Sequence, residues 1–245
     1  MNGPNTYYRR HLPHFQPEGE TYHVVFRLAG SIPASVLEEL RFQKDLEEKR
    51  GLKIDNGYER DRLAREYYRE YFKRYEQLLD GHLRGPFWLR KPEIAEIVSG
   101  SMKSLDKKKY DLIAFSIMPN HVHMVFELVR RFSEPTPNGR DGVPSNTAAL
   151  RRASDPTTGN SGSVVSHRVT DIVGSIKKYT SLRANRVLGR RGAFWRSESY
   201  DHVIRDSAEL DRTIEYVLMN PVRAGLCNDW REWKWSYVKE AYLAD

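Results

Sequence analysis

Met118-Pro119-Asn120-His121-Val122-His123-Met124-Val125-Phe126-Glu127 sets two histidines on either side of one apolar residue, in a run with strand character. Side chains alternate across a strand, so His121 and His123 leave one face, while Val122, Met124, Phe126 and Leu128 leave the other. Imidazoles rooted about 7 Å apart can close on one metal ion while the opposite row is buried as core. Alone, the pair reads by default as two histidines on a wet strand face. A later segment gives it chemistry. Asp206-Ser207-Ala208-Glu209 has the capping-box pattern, and Leu210, Ile214, Val217 and Leu218 follow as one core-facing helical row. Tyr216 lies off that row, with Arg212 one turn before it and Asn220 one turn after. Such a helix presents a phenolic hydroxyl, a possible nucleophile. Pro221 is expected to end the helix and leave the Asn220 carboxamide turned outward. Tyr179 and Tyr200 are rival nucleophiles: Tyr179 shares the apolar stripe of its own helix and is assigned to the core, and the direction of Tyr200 is left open.

The elements that must position these residues alternate between strands and helices. Thr21-Tyr22-His23-Val24-Val25-Phe26-Arg27-Leu28 is a strand by its β-branched and aromatic content. Residues 33–81 form a charged helical hairpin broken between Gly51 and Gly57, held by acid–base pairs along its faces. Pro92-Glu93 starts a helix whose buried stripe is Ile94, Ile97, Val98, Met102 and Leu105. Tyr110–Ile117 is a second strand, joined to the histidine strand by three residues and so paired antiparallel with it. Residues 133–166 turn abruptly to Pro, Gly, Ser, Thr and Asn, which predicts a flexible insertion. Helical spacing returns over 168–188, and Tyr200-Asp201-His202-Val203-Ile204-Arg205 reads as another strand.

Composition narrows the partners. The 245 residues carry a net charge of +7, which favours a polyanion over an acidic protein surface or a neutral small molecule. Cys227 is the single cysteine, so an internal disulfide is excluded and a reducing cytosol fits. No apolar run approaches the roughly 18–20 residues of a membrane span, and the first residues lack a secretory plan. A soluble, cytoplasmic protein is expected. Between residues 168 and 196 Lys177, Lys178, Arg183, Arg186, Arg190, Arg191 and Arg196 face Asp171 alone, an electrostatic track suited to a phosphate backbone, and Phe194-Trp195 offers a stacking surface at its end. Arg9 and Arg10, beside Tyr7 and Tyr8, suit phosphates and unstacked bases, or a tail packed by its rings. Arg212 and His202 join the phosphate-contacting set; His202 could reach a metal or a phosphate, with a structural imidazole as the default reading.

Together these motifs resemble a known group. The histidine–apolar–histidine signature is similar to that of HUH single-strand endonucleases. With Ser175-Ile176-Lys177-Lys178-Tyr179-Thr180, Phe194-Trp195, Ser199-Tyr200-Asp201-His202 and Tyr216-Val217-Leu218-Met219-Asn220-Pro221-Val222-Arg223-Ala224-Gly225-Leu226, the chain resembles the REP-associated tyrosine transposases. The likeness covers most of the chain apart from the 133–166 insertion, and the charged hairpin is a further departure. It implies an α+β fold, a ferredoxin-like antiparallel sheet packed with helices, in one domain over residues 1–245. It further implies Tyr216 as nucleophile and His121, His123 and Asn220 as metal ligands.

Given that ligand set, open positions remain for phosphate oxygens and water, which suits Mg²⁺ or Mn²⁺; zinc fits less well with no thiolate or third histidine in place. A free phenol has a pKa of about 10 and needs a base, a water or the metal field to lose its proton. Attack on phosphate would leave a 5′-phosphotyrosine and a free 3′-hydroxyl, which can later rejoin the strand without ATP. The resemblance adds single-stranded or hairpin DNA as substrate, in the cytoplasm at the nucleoid, for a monomer or homodimer. The alternative is a hairpin-binding protein without catalysis. A replication initiator or relaxase lacks support because no phosphate-binding helicase loop is present, and an ordinary metal hydrolase because the implied site is poor in acids.

Overall fold

Alternation of apolar and polar residues builds one sheet with two unlike faces. The computed structural model describes residues 7–9, 13–15, 20–51, 54–81, 85–129, 131–132, 164–165 and 169–243. The sheet contains Thr21–Leu28 (β1), Tyr110–Ile117 (β2), His121–Leu128 (β3), Trp195–Ile204 (β4) and Ser236–Val238 (β5) in the order β4-β1-β3-β2-β5, every neighbour antiparallel. Helices Pro92–Leu105 (α3) and Val169–Val187 (α4) supply the two crossovers, so the first four strands and these helices run β-α-β-β-α-β. That is the ferredoxin-like arrangement expected, with β5 added at an edge. Between β1 and α3 the chain inserts the hairpin Ala34–Gly51 (α1) and Gly57–Gly81 (α2), and after β4 comes Ser207–Arg223 (α5).

One face is dry. Tyr22, Val24, Phe26 and Leu28 of β1 and Val122, Met124, Phe126 and Leu128 of β3 are buried against Ile94, Val98 and Met102 of α3 and Ile172, Val173 and Ile176 of α4. Burying a large apolar side chain contributes about 1.5–3 kcal/mol, so this layer dominates the stability of the sheet. The other face carries His23, Val25 and Arg27 opposite Val125, His123 and His121 in the register of β1 with β3. A bulge between Leu112 and Ala114 in β2 turns both Ile113 and Ala114 toward this second face, where they pack with Val125, Ile214, Val217 and Leu218 under α5.

The expected capping box forms with one change of partner. Asp206 accepts from Glu209 N at 2.7 Å, while the Glu209 carboxylate reaches back to Arg205 N rather than to the cap residue. Pro221 does not end α5, contrary to expectation. It sits inside the last turn, and the helix runs on to Arg223 before Leu226 N bonds the Pro221 carbonyl. Proline removes one donor but leaves its own carbonyl available, so a terminal turn tolerates it better than a helix interior.

Two sequence expectations for α4 fail for one reason: the buried arc of the helix is shifted toward Lys177, Thr180 and Ala184 and away from Tyr179. Lys177, assigned to the DNA track, is 8% exposed and donates to the carbonyls of Arg196, Ser197 and Glu198 at 3.0, 3.2 and 3.0 Å. Burial, then Arg27, pulls its pKa down to about 7, with Glu198 opposing. Tyr179, assigned to the core, is 47% exposed, with the Arg183 guanidinium 4.5 Å from its ring centre. Phe194 and Trp195 are core residues and not a stacking surface: Trp195 is 6% exposed and its indole N–H donates to Thr180 Oγ1 at 2.8 Å. The expected flexible insertion and the side chains of Arg9 and Arg10 lie outside the described residues, apart from the backbone of Arg9 and of Val164–Val165. No helix of the described residues is long and apolar enough to cross a membrane. Replacing Lys177 by Met should orphan three carbonyls and cost about 1–3 kcal/mol of unfolding free energy in urea titration. Undiminished stability in that variant would contradict the buried role of Lys177.

Candidate active site

Antiparallel register places three imidazoles together. His121 and His123 share one face of β3, and their Nε2 atoms lie 2.9 Å apart. His23, two residues from Val25 on β1, adds a third ring: its Nε2 is 3.1 Å from His123 Nδ1, and the two rings stack with centres 5.4 Å apart. Asn120 orients the set. Its Nδ2 donates to the Leu79 carbonyl at 3.2 Å, which turns Oδ1 toward His121 Nδ1 at 2.6 Å. That contact puts the His121 proton on Nδ1 and leaves Nε2 as acceptor, so His123 donates from Nε2 and keeps its Nδ1 lone pair. All three residues are buried, with His23 at the edge of the cluster. Burial is the first cause that holds each below the ordinary histidine pKa, to about 3 for His121, with neighbouring imidazoles adding to the effect on His23 and His123.

Tyr216 comes to this cluster from α5. Its ring centre lies 5.7 Å from that of His123 and 6.3 Å from that of His23, edge-on to both, and Arg223 covers the ring at 5.0 Å. Asn220, one turn later, does not turn outward. It is 1% exposed, its Nδ2 donates to the Tyr216 carbonyl at 3.0 Å, and its Oδ1 meets no hydrogen-bond donor among the described residues. The rival tyrosines fare differently. Tyr179 rides on α4, which packs on the dry face, so the sheet separates it from the histidines. Tyr200 is buried beneath Phe72, ring centres 3.7 Å apart, and burial first, then Glu76, raises its pKa strongly. A phenol so placed ionises with difficulty.

The sequence reading missed two residues. His23 was read only as part of a strand, although alternation alone puts it on the face opposite Tyr22 and Val24. Its presence removes the premise that no third histidine is available. Glu76 was read as one acid among many on a charged hairpin, yet it is buried, and its Oε1 lies 3.7 Å from His123 Nδ1. No sequence signal singles it out. His23, Glu76 and His123 offer ligand atoms all within 4.8 Å of one another, a group that could hold a metal ion. Neutral imidazoles at these separations, a carboxylate, and the orphaned Asn220 oxygen nearby in sequence to Tyr216 are donors of the kind a divalent cation takes.

An open cavity of about 400 Å³ adjoins the cluster, lined by His23, Glu76 and Tyr216 and, at its polar wall, by Arg69, His202 and Arg212. His202 is held by Glu209 Oε1 at 2.9 Å. Burial raises the Glu209 pKa, but the bonds from His202 and Arg205 N outweigh it and keep the carboxyl ionised. Of the other expected DNA contacts, Lys178, Arg183 and Arg186 are exposed on α4, and Arg196 is half-buried at the start of β4.

Because the three histidines resist protonation in the fold, the unfolded chain takes up protons below its ordinary value near 6.5 that the native state refuses. Stability should therefore be full above about pH 7 and fall as pH drops toward 3; between pH 7 and 5 His121 alone should cost about 2 kcal/mol in metal-free protein. Urea midpoints that stay level over that interval would contradict the burial of neutral rings.

No family model matches the chain. A curated protein of Haemophilus influenzae, provisionally named a REP-associated tyrosine transposase, is 22% identical over 144 residues, which span 58% of this chain and 67% of that protein. A solved structure of a REP-associated tyrosine transposase bound to a REP hairpin aligns with 94% of this chain and 80% of its own, at 13% identity and a TM-score of 0.43, too loose a likeness to assign residues by. The group named in that relative is the one that the motifs around His121 and Tyr216 resemble.

Proposed function

We propose that the protein is a metal-dependent single-strand DNA endonuclease and strand transferase acting at hairpin-forming repeats, with Tyr216 as its nucleophile. One observation carries this reading: the Tyr216 ring stands edge-on to His123 and His23 on the wall of an open cavity that two arginines also line. The name of the curated relative supports the choice of DNA repeats as substrate.

In this reading the Tyr216 oxygen attacks the scissile phosphorus, the bond to the 3′-oxygen breaks, and that oxygen leaves with a proton as a 3′-hydroxyl. The 5′-phosphate remains on the tyrosine, and attack by another 3′-hydroxyl reverses the step. A divalent cation of the Mg²⁺ or Mn²⁺ class, held by the histidine cluster around His123, would neutralise charge on the phosphoryl oxygens. Arg69 and Arg212 border the cavity from two different helices and would meet the phosphates flanking the cut, with His202 beside them. The guanidinium of Arg223 over the Tyr216 ring favours a phenol with developing negative charge. Lys178, Arg183 and Arg186 face away from this cavity, across the sheet. They fit a role in holding the backbone of a folded hairpin at a distance from the cut, in a protein working at the nucleoid. A phosphodiester that must reach Tyr216 and the histidines at once suits an unpaired strand, since a stacked duplex would not bend into such a site.

A labelled hairpin oligonucleotide incubated with Mn²⁺ and run on a denaturing gel should give a covalent band with the natural protein. Tyr216→Phe should lose the band and keep the native-gel shift, and an adduct persisting in that variant would move the nucleophile to Tyr200. His123→Ala should reduce cleavage to background. A shift with no covalent band under any condition would leave a hairpin-binding protein without catalysis.

A further inference from the structure

The hairpin α1–α2 docks by one end only. In the last turns of α2 Phe72 stacks on Tyr200, Leu79 is buried, and its carbonyl accepts from Asn120. Toward the start of the same helix Tyr58 is 76% exposed and the Arg62 side chain 53%. At about 100° per residue, Tyr58, Arg62, Arg69, Lys73 and Glu76 fall within an arc of roughly 60°. Along that arc the charge is sorted. A ring comes first, then three exposed cations, and last Glu76, which is buried beside His123.

The acids of α2 leave this stripe clear. Glu59, Glu66 and Glu70 keep to one side of it, roughly 60–100° round the helix from Arg69. On the opposite side α1 packs, and Arg74 donates to Gln43 Oε1 at 2.6 Å. Arg62 is held by Glu59 at 3.2 Å, but both side chains are half-exposed, and a pair of that kind gives up its guanidinium to a phosphate. The inner end of the stripe is the wall of the cavity, which Arg69 and Glu76 line with Tyr216. From Arg69 out to Tyr58 the helix covers about 16 Å.

We infer that this stripe carries the unpaired DNA flank to the cavity, a path that rests on the single-strand substrate proposed above and extends it beyond the cut. Phosphates lie on Lys73, Arg69 and Arg62, and a base stacks on Tyr58. An exposed row of one sign complements a polyanion, and here it is continuous with the cavity in which the scissile phosphate must lie. The exposed ring at its outer end, accompanied by cations, is the combination that holds single strands without regard to sequence. A duplex offers such a ring no free base face. Phe42 and Leu46, exposed on α1, make a second copy of the chain the competing occupant of the hairpin.

The test is binding by fluorescence anisotropy, with the full chain carrying Tyr216→Phe so that no strand is cut. The probe is a labelled hairpin oligonucleotide with an unpaired oligothymidine flank of about 4 or about 16 nucleotides, on the 5′ or the 3′ side. The longer flank on one side should tighten binding at least about fivefold, the smallest gain from one stacked base, and Tyr58→Ala should remove that gain. Arg62→Gln should lower the slope of log affinity against log salt by about 0.7 on the longer flank, as for one single-strand phosphate, and leave the shorter flank unchanged. Both side chains are exposed, so neither change threatens the fold. Equal affinity for the two flank lengths, or a longer flank indifferent to both variants, overturns the track. So does a change in the mass of the free protein by light scattering with both flanks bound alike, which assigns the hairpin to a second copy. A covalent band from the natural protein alongside equal flank affinities strikes the track alone, whereas no band on any oligonucleotide strikes the cleavage reading beneath it.

Discussion

His123 is wedged between two other imidazoles with both of its ring nitrogens engaged, and the polar face of the sheet is arranged around that contact. Three adjacent buried rings cannot all carry charge, so they must be neutral and must share protons along one direction. Asn120 sets the direction from one end. Its amide is pinned by the Leu79 carbonyl, and every tautomer downstream follows. A network of this kind is stabilising only when each member is satisfied, which ties the loop before β3, the centre of β1 and the end of α2 into one unit.

Placing polar groups at the middle of a sheet requires a cover that is not wholly apolar. Here two helices divide the task. α5 lays Ile214, Val217 and Leu218 over the β2 side, beneath which the bulge has brought both Ile113 and Ala114. α2 covers the β1 and β4 side with Phe72, Tyr75 and Leu79 over Val25, Ile32 and Tyr200. The cavity opens where the two covers meet, and it is there that Tyr216 and Glu76 stand. The dry face, packed by α3 and α4, serves as the base from which the site is built.

Positive charge is partitioned by the same layering. Lys177 and Arg27 are sealed in the fold, Lys177 against three carbonyls at the edge of β4 and Arg27 between Tyr75 and Ser31. Arg69 and Arg212 border the cavity, and Lys178, Arg183 and Arg186 remain at the surface of α4. A net charge of +7 therefore overstates the charge available to a partner at any one face. Two of the cations closest in sequence, Lys177 and Lys178, do unrelated things because a helix turns 100° between neighbours.

Much of the architecture was legible because it depends on local periodicity. Alternation in β1, β2 and β3 identified the strands, sorted His121 and His123 from Val122 and Met124, and made the short link at Asn120 an antiparallel turn. The capping pattern at Asp206 and the apolar row of α5 were enough to place Tyr216 off the core stripe. Periodicity also misled where burial was not apolar: Lys177 reads as a surface cation and Tyr179 as core, and the fold reverses both because carbonyl acceptors and a covering strand lie on one side of α4 and solvent on the other. What tertiary structure alone decided is which distant residues meet. His23 is 100 positions from His123 and enters through strand register; Glu76 enters through the docking of an inserted helix in which it is one acid among many. Residue spacing encodes the neighbours along an element, whereas contacts across elements depend on the shape complementarity of faces, which no single stretch of the chain contains.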